Sequence, residues 1–279
     1  MADAATGAPR GWLVRLFEAI GAPFVALLNE VGGLFSFGGR VLYWSVRPPY
    51  RFKLLLQQMD FIGFGSAFIV GLAGTFTGMV FAFQSLFAFR KFGAEDLVGP
   101  TTTISIAREL APVITSLMVA GRAGSSMATE IGTMKVTEQI DAMATMAVSP
   151  TQYLAVPRVI AAMFMLPCLT MLFDCSGFFG SFFVSTTREL LDPGIYLEQT
   201  YYMLDPPDFA EGLIKAFFFG AIIAWVSCYK GFVTSGGARG VGLAATRAVV
   251  ISSVSVLIVD YFLTEIINPW LYGYLRFAA

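Results

Sequence analysis

The sequence contains no histidine among its 279 residues, and this absence limits the chemistry open to it. Histidine is the commonest metal ligand and the side chain that most readily changes charge near neutral pH. The three cysteines lie in apolar stretches without the spacing of a zinc site or a disulfide framework. We expect them to be small buried hydrophobic side chains: Cys168, Cys175 and Cys228. No metal or cofactor site is predicted.

Charged residues are also scarce. They make up 13% of the chain against 56% hydrophobic residues, and the mean hydropathy is +0.71. Soluble domains contain about 25% charged residues, so most of this chain is expected to lie in lipid. The net charge of −1 gives no basis for nucleic-acid binding. No GxxxxGK[ST] phosphate loop and no recognisable nucleophile–base pair occur, so the chain itself is not predicted to be an enzyme.

Five long apolar stretches predict an all-α integral membrane protein with five transmembrane helices. The five-span domain is expected to cover residues 59–279, with spans at about 61–89, 102–128, 150–187, 209–233 and 241–268. Asp208 and Glu211 resemble a capping box that starts the fourth span, and Asn268–Pro269 is expected to stop the fifth. Small residues at every fourth position of the first span predict a packing seam rather than a pore lining: Ala67, Gly71 and Thr75, and Gly74, Gly78 and Ala82.

Residues 1–58 are predicted to form a separate region at the membrane interface. From Gly11 to Val31, apolar residues recur at helical spacing with charged residues between them, which is typical of an amphipathic helix lying in the interface. After Val31 the chain is expected to be loosened by four glycines and then broken by Pro48–Pro49; the glycines are Gly32, Gly33, Gly38 and Gly39.

The distribution of Lys and Arg predicts the orientation. Because cytoplasmic loops carry an excess of these residues, the N-terminus and the loops at 129–149 and 230–240 are expected to be cytoplasmic. The cations on that side are Arg10, Arg15, Arg40, Arg47, Arg51, Lys53, Lys135, Arg158, Lys230, Arg239 and Arg247. The other side carries Arg90, Lys91, Arg188 and Arg276 among many acids.

Several ionisable residues fall inside the apolar stretches, where a charge is costly and needs a partner or a function. Arg108 and Glu109 are either a polar patch that contacts a charged ligand at the mouth of a cavity or an interfacial pair that reaches water. Lys215 lies at a similar depth, which favours a shared patch. Three isolated acids either pair with cations of other helices or bind ions during transport: Asp174, Asp260 and Glu265.

Two polar segments follow in the second span and the loop after it. Gly121, Arg122 and Gly124 predict close helix packing around a buried cation, whose partner is either a carboxylate, with Glu130 as the candidate, or backbone carbonyls. The segment 134–147 predicts an amphipathic cytoplasmic helix, and this helix is either a solvated surface or a docking site for a partner. The residues alone leave both alternatives open.

Residues 108–143, RELAPVITSLMVAGRAGSSMATEIGTMKVTEQIDAM, closely resemble the signature of MlaE-type permeases, the membrane subunits of ABC transporters for lipids. The resemblance continues through MAVSPTQYLAVPRVIA, LIKAFFFG and ATRAVVISSVSVLIVDYFLT, and it covers roughly residues 50–268. Residues 1–49 depart from the family pattern, so their role is not implied by it.

The resemblance implies a homodimer in the bacterial inner membrane that serves outer-membrane lipid asymmetry. A cytoplasmic helix at about 134–146 would dock on a separate ATPase subunit. Its contacts would be Glu130, Lys135, Glu138 and Asp141. A lipid cavity between the subunits would open to the periplasm, with Arg108, Glu109 and Lys215 at its edge, beneath an MCE-domain protein that carries the lipid onward.

The expected function is therefore that of an ABC permease subunit moving phospholipids or related lipids. The alternative is an ion-coupled secondary transporter that uses Asp174, Asp260 or Glu265, although no internal repeat of the kind common in such transporters is visible. A scaffold or receptor without transport would leave the external polar patch unexplained.

Overall fold

The computed structural model describes residues 12–48, 51–188 and 191–278, and these ranges contain helices but no strand. Five helices are long and apolar enough to cross a membrane, which confirms the predicted fold. We number them as spans in chain order: Phe52–Phe92, Glu95–Val136, Thr151–Thr187, Pro206–Phe232 and Gly237–Leu271. Three further helices lie outside the spans: the N-terminal helix Trp12–Ser45, the loop helix Gln139–Thr145 and the short helix Pro193–Met203.

Successive spans alternate in direction, so the connections fall at two ends. The loop end carries the loop helix and the turn between the fourth and fifth spans. The short-helix end carries the short helix and the 3₁₀ turns Arg90–Phe92 and Glu95–Leu97. The short helix is N-capped by the Asp192 side chain and held to the third span by a 2.8 Å hydrogen bond between the Tyr196 and Ser181 hydroxyls. Burial raises the pKa of Tyr196, so this hydroxyl stays neutral.

The second span is a continuous helical run interrupted by two π-helical segments. Its α-helical parts are Val98–Ser105, Ala111–Val119 and Ser125–Val136, and the π-helical segments Ile106–Leu110 and Ala120–Gly124 join them. A third π-helical segment, Thr151–Ala155, precedes the α-helical part of the third span, Val156–Thr187. Such wide turns occur frequently at functional sites, and the first two contain Arg108, Glu109 and Arg122.

The first span packs along the third, and glycines make this contact possible. A Cβ atom on Gly78 would overlap the carbonyl of Gly177, and one on Gly180 would overlap the carbonyl of Thr75. Gly74 meets Phe173 in the same way. The predicted packing seam is therefore confirmed, and it brings two backbones into direct contact.

Arg122 joins the second span to the first. Its guanidinium donates to the carbonyl of Phe61 at 2.9 Å and to the Ser66 hydroxyl at 3.0 Å, so a carbonyl rather than Glu130 is its partner. Of the two predicted packing glycines, Gly124 lies against Ser227 and Ile223 of the fourth span. Gly121 is exposed, with nothing in the described residues close enough to contact a Cβ atom there.

Two predicted helix ends are wrong, because neither the glycines nor the proline expected to interrupt the helix does so here. The N-terminal helix continues to Ser45, since Gly33 and Gly38 lie against the rings of Tyr229 and Trp225 and admit the fourth span. The Trp225 ring nitrogen donates to the carbonyl of Leu34 at 3.0 Å. The fifth helix likewise passes through Pro269 and extends to Ala278, as prolines are tolerated in membrane helices. The predicted region Gly11 to Val31 begins outside the described residues.

The prediction that all three cysteines are buried is also wrong. Cys228 is buried, whereas Cys168 and Cys175 lie exposed on the third span. An apolar stretch indicates that a side chain avoids water, and in a membrane protein the lipid satisfies this requirement as well as the protein core does.

Candidate functional site

Charged side chains from three spans meet near the short-helix end. We call this group the polar cluster, and it consists of Arg108, Glu109, Asp208, Glu211, Lys215 and Asp260. The first two lie in the π-helical segment Ile106–Leu110, the next three open the fourth span, and the last lies in the fifth. The structure thus brings together the predicted residues Arg108, Glu109 and Lys215, and adds three acids to them.

Arg108 is paired with Asp208. Its Nε and Nη2 atoms lie 2.9 and 2.5 Å from Asp208 Oδ1, and the Asp208 side chain is almost completely buried. Asp208 also accepts a 3.0 Å hydrogen bond from the backbone nitrogen of Asp205. The capping box of the fourth span is therefore Asp205–Asp208, and the predicted pair Asp208–Glu211 is wrong by one turn.

Lys215 lies below the surface of the cluster. Its Nζ atom is 2.8 Å from Glu109 Oε1 and 3.1 Å from the carbonyl of Arg108, with Glu211 at 3.2 Å and Asp260 at 3.6 Å. The side chain has no exposed area, so it does not lie at the edge of a cavity as predicted. It instead holds Glu109 and the second span against the fourth and fifth.

Glu211 has no exposed area either, and neither of its carboxylate oxygens accepts a hydrogen bond within the described residues. Among the described residues, Lys215 is the only cation that forms an ion pair with Glu211. The spacing of Glu211 and Lys215, one helical turn apart on an apolar helix, is the signal from which this pair was predictable. Asp208 and Glu211 were missed because acids at a helix start look like capping residues.

Two adjacent members of the cluster remain accessible. The side chain of Arg108 is 32% exposed and that of Glu109 is 44% exposed, whereas Asp260 is less exposed and the other members are buried. The cluster therefore presents one cation and one anion side by side. An arginine fork binds phosphate oxygens well, and a carboxylate accepts from an ammonium or hydroxyl group.

An apolar cavity of about 260 Å³ lies beside the first π-helical segment. Its lining is Thr103, Ile106, Ala107, Asp174, Cys175, Phe178, Leu204 and Phe209. Asp174 is 8% exposed, and its Oδ1 atom has no hydrogen-bond partner in the described residues. A cavity of this composition suits an alkyl chain better than a hydrated ion.

The three isolated acids of the spans therefore have different surroundings. Asp260 belongs to the polar cluster, as the pairing alternative expects. Asp174 faces the apolar cavity, and Glu265 is exposed. They do not form a continuous path for an ion, and the described residues contain no group of acids that could hold a metal.

At the loop end, two ion pairs hold the chain between the second and third spans. Arg158 is buried and lies 2.8 Å from Glu130, and it also donates to the carbonyl of Leu154 at 2.7 Å. Lys135 lies 2.8 Å from Asp141 of the loop helix. Two of the four predicted contact residues thus bind each other, and Glu130 binds the third span.

The predicted helix at 134–146 is replaced by two pieces. The second span continues to Val136 and includes Lys135, and the loop helix has only seven residues, Gln139–Thr145. Glu138 separates them because its backbone is left-handed, with φ of 60°, and Ala147 with φ of 59° follows the loop helix. Such conformations cost free energy in residues other than glycine and occur at functional sites. Amphipathic spacing alone does not reveal such a turn.

Residues 55–266 match the family model described as permease MlaE. The chain belongs to the MlaE permease family. It is 41% identical to a probable ABC transporter permease protein of Rickettsia bellii over 91% of this chain and 98% of the relative. It is 34% identical to the intermembrane phospholipid transport system permease protein MlaE of Haemophilus influenzae, again over 91% and 98%.

A chloroplast relative extends the comparison beyond bacteria. The protein TRIGALACTOSYLDIACYLGLYCEROL 1 of Arabidopsis thaliana is 38% identical over 81% of this chain and 65% of its own length. Membership of this family makes the chain a multi-pass transport subunit, a permease of the ABC class, rather than an enzyme. It favours this function over the alternative of an ion-coupled secondary transporter.

Proposed function

We propose that this permease moves phospholipids between the inner membrane and a periplasmic MCE-domain carrier, using ATP hydrolysis in a separate subunit. Two observations carry the proposal: the Arg108–Glu109 pair is accessible, and the two residues before it in the chain, Ile106 and Ala107, line an apolar cavity. Together they match a molecule with a charged head group and an alkyl chain. The name of the Haemophilus relative supports phospholipid as the cargo.

In this proposal Arg108 binds the phosphate of the head group, and Glu109 accepts a hydrogen bond from its amine or hydroxyl groups. Asp208 fixes the Arg108 guanidinium from below, and Lys215 fixes the Glu109 carboxylate. Neither Asp208 nor Lys215 is accessible enough to contact a lipid itself. Their part is to orient the two accessible side chains, because rigid support of this kind gives a binding site its geometry.

The ATPase subunit is proposed to dock on the loop helix. Glu138 and Asp141 lie exposed beside and on this helix, Lys135 is half-buried next to them, and Glu130 is exposed on the second span. Movement of the loop helix would pass through the Lys135–Asp141 ion pair into the second span, and through Glu130–Arg158 into the third. The second span continues from this contact to the polar cluster, so one helix connects the proposed ATPase contact with the proposed lipid site.

The remaining features follow from the same proposal. The loop end and the N-terminus face the cytoplasm, as the excess of Lys and Arg there supports. Two copies of the chain form a homodimer, with the lipid cavity between them open to the periplasm. The transporter would then contribute to the lipid asymmetry of the outer membrane.

The test reconstitutes the permease with its ATPase subunit and MCE protein in liposomes, and measures ATP hydrolysis and transfer of labelled phospholipid. We expect Arg108→Gln with Glu109→Gln to reduce transfer at least tenfold while the ATPase subunit still binds.

The docking surface is tested in the same assay. Lys135→Glu with Glu138→Lys should uncouple hydrolysis from transfer. The control Lys135→Asp with Asp141→Lys keeps an ion pair at this position and should retain more coupling. Unchanged transfer in Arg108→Gln with Glu109→Gln would refute the lipid site. Unchanged transfer in Lys135→Glu with Glu138→Lys would refute the docking surface.

A further inference from the structure

A second cavity, at the loop end, has a different composition. It has a volume of about 220 Å³ and lies between the end of the N-terminal helix and the starts of the first and third spans. We call it the basic groove, and its lining is Trp44, Arg47, Arg51, Phe52, Leu55, Gln152, Val156, Pro157 and Ile160. Two guanidinium groups thus lie beside an otherwise mostly apolar groove, at the opposite end of the spans from the polar cluster.

Both guanidinium groups are held by aromatic rings. Arg47 lies 4.2 Å from the ring centroid of Tyr43, and Arg51 lies 4.4 Å from that of Tyr153. Stacking occupies the flat face of a guanidinium and leaves its N–H edge available for a phosphate. In the part of the chain that the structure describes, neither arginine is paired with a carboxylate.

The same groove is where the N-terminal helix meets the third span. The Gln152 side-chain nitrogen donates to the carbonyl of Arg47 at 3.0 Å and joins the two elements directly. An occupant of the groove would contact the N-terminal helix, the first span and the third span at once. It would therefore stabilise the packing of the N-terminal helix on the spans.

We infer that the basic groove binds an anionic phospholipid as a resident lipid rather than as cargo. The phosphate binds Arg47 and Arg51, and the start of one acyl chain lies along Leu55, Val156 and Ile160. Basic pockets between membrane helices bind anionic head groups in this way. The groove is too small for a whole lipid, so the rest of the molecule lies in the surrounding bilayer. A free anion would match the two arginines but would leave the apolar part of the groove unused.

The test is native mass spectrometry of the full complex, delipidated and titrated with phosphatidylglycerol or phosphatidylcholine. The variant Arg47→Gln with Arg51→Gln is compared with Arg40→Gln with Lys53→Gln, which removes the same charge from exposed positions nearby but outside the groove. We expect the groove variant to bind phosphatidylglycerol roughly tenfold to thirtyfold more weakly and to lose its preference over phosphatidylcholine. The control variant should retain both.

A third variant, Leu55→Trp, fills the groove and keeps both arginines, and it should also lose the bound lipid. Equal losses in the groove and control variants would overturn the proposal, since the attraction would then come from general surface charge. Displacement of the lipid by inorganic phosphate at millimolar concentration would overturn it as well, because the acyl chain would then contribute nothing. Neither outcome bears on lipid transfer at Arg108 and Glu109, so this proposal and the proposed function fail separately.

Discussion

Replacing Lys215 by methionine tests the central role of this side chain in the polar cluster. The change removes a buried positive charge that faces Glu109, Glu211 and Asp260. Glu109 is 44% exposed and can be hydrated, and Asp260 is partly exposed. Glu211 has no exposed area and is left without a counter-charge, so it accounts for most of the expected loss of stability.

The magnitude follows from the complete burial of Glu211. A buried charge that loses its partner typically costs about 3–5 kcal/mol. We therefore expect Lys215→Met to lower the free energy of unfolding by about 3–5 kcal/mol.

The assay is equilibrium unfolding in detergent micelles, followed by tryptophan fluorescence. Lys230→Met on the same span is a matched control, because its partner Glu30 is 45% exposed and can be hydrated. The double variant Lys215→Met with Glu211→Gln should recover most of the lost stability. If Lys215→Met costs no more than Lys230→Met, or if the double variant recovers nothing, Glu211 does not carry the charge assigned to it.

Two further predictions concern the seam and the cavity. Gly78→Ala should lower the free energy of unfolding by about 1–3 kcal/mol, since its Cβ would overlap a backbone carbonyl. Gly71→Ala should be nearly neutral because its Cβ would lie 4.0 Å from Leu172; equal effects would argue against direct backbone contact. Asp174→Leu should raise stability by about 1–3 kcal/mol, since it removes a buried oxygen without a hydrogen-bond partner. An unchanged or lower free energy of unfolding in this variant would contradict the reasoning.

The spans could be predicted from the sequence because lipid selects for apolar side chains whatever their neighbours are. The helix ends could not, because Gly33, Gly38 and Pro269 act as breakers only where no other element compensates for them. In this fold the two glycines admit aromatic side chains of the fourth span. Their role depends on residues almost two hundred positions away.

The candidate site was predictable in part for a similar reason. Arg108, Glu109 and Lys215 were identified together because a charge in an apolar helix needs partners, and each was visible as an exception. Asp208 looked like a capping residue, and it is one in addition to binding Arg108. The left-handed turn at Glu138 had no sequence signal, because glutamate rarely adopts that conformation.

The two π-helical segments of the second span determine where this helix can lose a residue. A π-helical turn contains one residue more than the α-helical turn that it replaces. Deleting one residue from Ala120–Gly124 would therefore allow a regular α-helix to form there, with Arg108, Glu109 and Lys135 left on their present faces. Deleting one residue from the α-helical part Ser125–Val136 would instead turn Lys135 by about 100° away from Asp141. The span can thus shorten by one residue within a π-helical segment and keep its contacts at both ends, whereas the same deletion elsewhere would break one of them.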